Sequence, residues 1–167
     1  MKAVMVIMVL TVATSAQAAD KTWVLTETGL GPVHIGMTAA QVARVLHKPV
    51  KLDSDDDARV CAEVMLPGLS GTSAIFLNEK LDSLWVRGPA PYATKRGIRP
   101  GATDAKVRAV YPEAKVSAAD YDEAPAANLL YWARKDKAGI EFRTGTDRKV
   151  ISIAAGGPSI QYMEGCS

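Results

Sequence analysis

The chain has 167 residues, with 20 basic and 18 acidic side chains, 48% hydrophobic residues and only 6% aromatic ones. That length bounds it to one ordinary domain or two small units sharing a core. A formal charge of +2 gives no general reason to expect nucleic acid, and no apolar stretch reaches the roughly 20 residues of a membrane helix, so no membrane span is expected.

Met1-Lys2 is a short basic start, Ala3 to Ala13 is apolar, and Ser15-Ala16-Gln17-Ala18 ends in the small-x-small pattern that signal peptidase reads. Residues 1–18 are therefore read as a signal peptide cleaved after Ala18, which places the remaining 149 residues in the periplasm or outside the cell. With the first cysteine at Cys61, no N-terminal lipid anchor is expected. In an oxidising compartment the only two cysteines, Cys61 and Cys166, are expected to pair. Closing so long a loop removes on the order of 4 to 5 kcal/mol of unfolded-state entropy in the chain-entropy model.

Trp23 to Leu25 has the character of an edge strand, and Gly31 to Ile35 that of a short extended piece. Thr38 is placed to cap a helix, with Gln41 three residues on completing a capping box. Val42, Val45 and Leu46 share one face of that helix, and Pro49 stops it. After a polar loop, strands are predicted near 59–66, 72–78 and 82–88, with a hairpin turn at Asn78-Glu79-Lys80. Gly88-Pro89-Ala90-Pro91 is a break. The order then repeats. Gly97 to Arg99 is extended and Thr103 caps a helix whose face is Val107, Val110 and Tyr111. Lys106 cannot close a box there, and Asp104 supplies the negative charge that favours a helix N-terminus. Strands follow near 128–134, 138–144 and 149–155, with a turn at Gly145-Thr146-Asp147.

The repetition has a fixed offset of 65 residues: Val33-His34-Ile35-Gly36-Met37-Thr38 returns as Ile98-Arg99-Pro100-Gly101-Ala102-Thr103, and Val64, Ile75 and Leu77 match Leu129, Ile140 and Phe142. Two tandem units, 19–90 and 91–167, are expected. The fold class is α+β, each unit a short helix packed on an antiparallel sheet of three to four strands, with the C-terminal tail tethered to the first unit through Cys61.

The run Val33 to Val42, with Leu46 and Pro49, resembles the signature of the SmpA/OmlA outer-membrane assembly lipoproteins, and is similar to the repeat of the beta-lactamase-inhibitory protein. From residue 19 onward the chain also resembles small exported bacterial proteins that end in a Glu-Gly-Cys segment, here Glu164-Gly165-Cys166. In the second copy Pro100 and Ala102 depart from the motif, and its assignment rests on the constant offset. The resemblance implies helix-plus-sheet units that bind other proteins. It carries no particular partner, and the repeated glycine, threonine and apolar positions read most simply as turn, cap and core.

No catalytic constellation stands out. His34 and His47 are the only histidines, and no Gly-x-Ser-x-Gly elbow occurs, so a hydrolase would require distant residues to converge. Asp53, Asp55 and Asp57 have the 1, 3, 5 spacing of a calcium loop, yet Ala58 and Val64 stand where glycine and a bidentate glutamate belong. Neither metal nor cofactor is expected. The basic group Lys95, Arg96, Arg99, Lys106 and Arg108 lacks the interleaved aromatics of a nucleic-acid platform.

Strand alternation supplies the binding hypothesis. If Ile75, Leu77, Leu84 and Val86 face the first helix, as Ile140, Phe142, Ile151 and Ile153 face the second, then Phe76, Trp85, Arg87 and Glu141 face away, with either Tyr131 or Trp132. Aromatics and arginine are the residue types enriched at hot spots. Phe76, Trp85, Arg87 and Trp132, with Asp55 and Asp57 of the acidic loop, are the expected contacts for another protein in the envelope or outside the cell, and the alternative is that the other unit or the tail covers this face. Asp120, Asp122 and Glu123 form the corresponding acidic loop of the second unit. The function expected is that of a non-enzymatic binding module, an inhibitor or immunity protein against a secreted hydrolase or an envelope accessory factor. A glycan or envelope-ligand binder using Trp85, Trp132 and the basic group is the alternative.

Overall fold

A computed structural model describes residues 23–52 and 60–166. The signal-peptide reading and the contacts expected of Asp55 and Asp57 lie outside the described residues. The described residues open with three short strands, β1 (Val24–Thr26), β2 (Gly29–Leu30) and β3 (Val33–His34), and the helix α1 (Ala39–Leu46). Three longer strands follow, β4 (Cys61–Met65), β5 (Thr72–Leu77) and β6 (Lys80–Arg87). The short β7 (Ala93–Thr94) leads to α2 (Asp104–Val110) and β8 (Lys115–Ala118). Last come β9 (Ala127–Arg134), β10 (Ala138–Thr144), β11 (Val150–Gly156) and a 3-10 turn at Pro158–Gln161.

Both helices start as their sequences dictate. Thr38 Oγ1 accepts from the Gln41 amide at 3.3 Å while Gln41 Oε1 accepts from the Thr38 amide at 2.8 Å, so two otherwise orphaned donors are satisfied reciprocally. Thr103 Oγ1 accepts from the Lys106 amide at 3.2 Å without a reciprocal bond, and Asp104 occupies the first turn. Val42 and Val107 are fully buried. His47 is the left-handed C-cap of α1, at φ 54°.

The fold is α+β. Seven strands form one antiparallel sheet in the order β4-β5-β6-β11-β10-β9-β8, and a second sheet runs β3-β2-β1-β7 with β1 and β7 parallel. In place of a separate three- to four-stranded sheet under each helix, the strands are joined where β6 pairs with β11. The second sheet ties the start of the chain to β7. Each helix is fastened to the large sheet by the segment before it. Gly36 N donates to Leu81 O (2.7 Å) and Leu81 N to Met37 O (2.8 Å), while Gly101 N donates to Val150 O (2.7 Å) and Val150 N to Ala102 O (2.8 Å).

One face of the large sheet carries the main core, in which Val42 and Val107 meet Leu84, Val86, Phe142 and Ile153. The other face carries a smaller cluster of Ile75, Trp85, Ala154 and Ile160. Two expected placements are reversed. Phe76 is fully buried in the main core and Ile75 lies on the second face, with Leu77 packed beside it. Ile151 is 51% exposed rather than inward, because the register shifts between Arg143 and Thr144, and Val150 takes the inward place. Between Tyr131 and Trp132, the strand turns Trp132 to the second face and packs Tyr131 on the main core.

The chain leaves the sheet at Gly156, where φ is +142° and a Cβ would collide with the Asp82 carbonyl, so glycine is required for the turn. From there the tail crosses the second face. Ile160 is fully buried against it, and Cys166 is bonded to Cys61 with the Cα atoms 5.4 Å apart.

Candidate functional site

Of the expected contacts, Trp85, Arg87 and Trp132 lie on this second face, and the tail covers much of it. Trp85 is only 2% exposed: its Nε1 donates to Ser83 Oγ at 3.0 Å, and the Ser83 and Ser159 hydroxyls meet at 2.7 Å. Ser159 N in turn donates to Asp82 Oδ2 at 2.9 Å. The indole is therefore part of the docking surface for the tail. Phe76 sits beneath the sheet and is available to no partner.

Beside the tail the face stays open. Strand register places Arg87 opposite Ser152, Ser152 opposite Arg143, and Arg143 opposite Asn128, a single row across β6, β11, β10 and β9. One row along, Trp85 and Glu141 flank Ala154. Ser152 and Ala154 on the middle strand are small, so larger side chains on both sides rise above them. The result is a pocket of about 380 Å³ floored by Trp85 and Ser152, walled by Arg87 and Arg143, and rimmed by Asp120 and Asp122.

Each arginine is held in place. Arg143 stacks on Trp85 with its guanidinium carbon 4.4 Å from the ring centroid, and Arg87 lies at 5.3 Å. Arg143 donates through Nε and Nη2 to Glu141 Oε2 at 3.3 and 3.1 Å, and Nη2 also reaches the carbonyls of Ile160 and Tyr162 at 3.4 and 3.0 Å. Arg87 donates to Ser73 Oγ at 2.7 Å and pairs with Glu63 at 3.5 Å. Burial pushes the Glu141 carboxyl above its ordinary range; Arg143 opposes this, and Asp120 adds to it.

Part of the acidic rim is also fixed. Asn128 Nδ2 donates to Asp120 Oδ2 at 3.1 Å, and Tyr121 Oη donates to Glu164 Oε1 at 2.5 Å, joining the loop to the disulfide-tethered tail. That bond to a carboxylate raises the pKa of the Tyr121 hydroxyl. Tyr121 and Glu164 also line a shallower hollow of about 500 Å³ against the disulfide.

Trp132 stands apart from Trp85, in a cleft of about 360 Å³ with Tyr131, Leu130, Lys115, Lys135 and Gln161. Of the basic group, Arg96 is committed to structure: it lies over the rings of Tyr111 and Tyr131 at 4.3 and 4.8 Å, pairs with Glu113 at 2.6 Å, and caps the Val110 carbonyl at 3.1 Å. Tyr111 itself is 1% exposed; its hydroxyl lies near Thr94 but outside hydrogen-bond geometry, and burial raises its pKa. The histidines are both exposed and are not brought to the pocket. Among the described residues no group of three metal-ligating side chains gathers, and no helix is long and apolar enough to cross a membrane.

No family model, curated protein or solved structure matches this chain. The site is therefore argued from its own geometry. Arg87 is the expected contact that lines the pocket openly; Arg143, Asn128 and Ser152 were not singled out from the sequence, although alternation from Phe142 places Arg143 on the same face as Glu141.

Proposed function

We propose that this chain is an exported, non-enzymatic binding module built from two tandem helix-and-sheet units, and that it holds another protein at the Trp85 pocket and its acidic rim. The equivalent fastening of α1 by Gly36 and Leu81 and of α2 by Gly101 and Val150 supports the tandem reading. The observation that carries the binding reading is the pocket itself. Opposed charges, Arg87 and Arg143 against Asp120 and Asp122, surround a depression that no side chain of the described residues fills, and hydrogen bonds hold Arg87, Arg143 and Asp120 in place. Charges of both signs arranged around a concave site fix orientation and partner choice. An inhibitor or immunity protein against a secreted hydrolase is the concrete form, since such a role needs a rigid surface and no chemistry of its own.

The Trp132 cleft supports a second reading, a glycan or other envelope ligand, because a half-buried indole beside Tyr131, Lys115, Lys135 and Gln161 offers a stacking face with polar groups around it. A pull-down from envelope extract separates the two. The wild-type chain and an exposed hairpin control, Glu79→Gln, are expected to retain one protein that Asp120→Asn/Asp122→Asn loses. Retention unaffected by the double substitution, or retention of glycan alone, overturns the first reading. Aspartates serve better than Trp85 here, because truncating a buried indole tests the fold.

A further inference from the structure

The unused hydrogen-bonding capacity of the pocket specifies a chemical class of ligand. A guanidinium has five N–H donors in a planar fork. Arg143 spends Nε and Nη2 on Glu141 and two tail carbonyls, which leaves Nη1 without an acceptor among the described residues. Arg87 spends one donor of Nη1 on Ser73 and directs Nη2 at Glu63, which leaves Nε. Ser152 lies on the strand between them, and both guanidinium carbons lie against the Trp85 ring, Arg143 at 4.4 Å and Arg87 at 5.3 Å from its centroid, close enough for one ligand group to reach both.

Net charge then decides what that group belongs to. Each arginine already has a carboxylate partner, Glu63 or Glu141, so the walls offer donors with little net positive charge. A simple anion entering the pocket meets Asp120 and Asp122 at the rim, and a simple cation meets two guanidinium groups at the walls. A ligand carrying both charges satisfies both ends. We propose that the pocket takes a zwitterion, an amino acid or short peptide whose free carboxylate accepts from Arg87, Arg143 and Ser152 while its ammonium pairs with Asp120 and Asp122. The proposal rests on the reading that this pocket is the binding site. A volume of about 380 Å³ is at the small end of ligand pockets, and one to three residues at roughly 3.5 Å each span it.

The test is calorimetric titration of the full, oxidised chain with trialanine, N-acetyl-trialanine and trialanine amide. Trialanine is expected to bind, and each capped compound, having lost one charge, to bind at least about tenfold more weakly. Arg87→Gln is expected to remove the preference for the free carboxylate, and Asp122→Asn, at an exposed loop position, the preference for the free amine, with both variants folded by circular dichroism. Equal binding of all three compounds, or no heat at millimolar trialanine with folded protein, overturns the proposal. Its failure is distinguishable from failure of the protein-binding reading. If trialanine does not bind and Asp120→Asn/Asp122→Asn still loses the captured protein, the ligand class is wrong and the site stands. If trialanine binds with the stated preferences and capture is unaffected, the pocket serves a small ligand alone.

Discussion

Glu141 is the residue whose ionisation the fold most clearly opposes. It lies 4% exposed between Arg143 and the tail, and burial, with Asp120 nearby, raises its pKa above the ordinary 4.5 despite the opposing effect of Arg143. A carboxyl with a folded pKa above its unfolded one binds its proton more tightly in the folded chain. Its stabilising contribution is therefore complete below the unfolded value and fades as pH rises through the folded one. Glu141→Gln cannot titrate. The stability of the wild type relative to Glu141→Gln is expected to grow as pH falls from neutrality toward 4.5, read as the difference in melting temperature at each pH. A difference that stays flat or shrinks on acidification shows that the ion pair with Arg143 outweighs desolvation. At this scale the sequence was partly legible. Alternation put Trp85, Arg87 and Glu141 on one face, and the acidic character of Asp120 and Asp122 was plain. That Trp85 is a floor rather than an anchor depends on Ser159 and Ile160 arriving from more than 70 residues away, which no local pattern encodes.

At the scale of elements, strand positions were readable because turn residues punctuate them: the expected strand at 138–144 coincides with β10, and β5 and β9 differ by one residue at one end. Facing was less readable. Ala74-Ile75-Phe76-Leu77 is apolar at every position because both faces of β5 are covered, one by the helices and one by the tail, so no alternation sets its phase. Lys115–Ala118 escaped notice as β8 since all four residues are exposed and its pairing to β9 is what makes it a strand. The tail divides into two parts held differently. Residues 158–161 are anchored by Ile160, the Ser83–Ser159 contact and the Ser159 amide on Asp82, whereas 163–166 depend on the disulfide and on Tyr121. Cys166→Ser is therefore expected to cost about 2–5 kcal/mol in denaturant unfolding under oxidising conditions. In hydrogen exchange the Ser159 amide is expected to remain protected in that variant. Loss of its protection would show that the disulfide, and not packing, holds the whole tail down.

At the scale of the molecule, the pairing of β6 with β11 is the decisive contact, and as a connection between distant segments it was beyond the reach of a reading that treated each repeat separately. Five residue pairs, from Arg87 opposite Ser152 to Ser83 opposite Gly156, convert two sets of strands into one sheet. The main core crosses that seam, since Leu84 and Val86 of β6 belong to the same cluster as Ile153 and Ala155 of β11. Cutting the chain at the Gly88–Pro91 break would leave β6, an eight-residue strand with four consecutive buried residues from Ser83 to Val86, as an open edge. Long apolar edges recruit other strands unless charge, proline or a bulge blunts them, and β6 meets β11 without a register shift. The fragment 19–90 is thus expected to remain unfolded or to aggregate, while the intact chain loses its large sheet in one transition by circular dichroism and by tryptophan fluorescence. The pocket gives this prediction a second readout. Arg87 comes from β6, before the break, and Ser152 and Arg143 from β11 and β10, after it, so neither half of the chain assembles the site. A monomeric 19–90 fragment with a cooperative melt would mean that the seam joins two independently stable units, and the site would then depend on their docking rather than on the folding of one sheet.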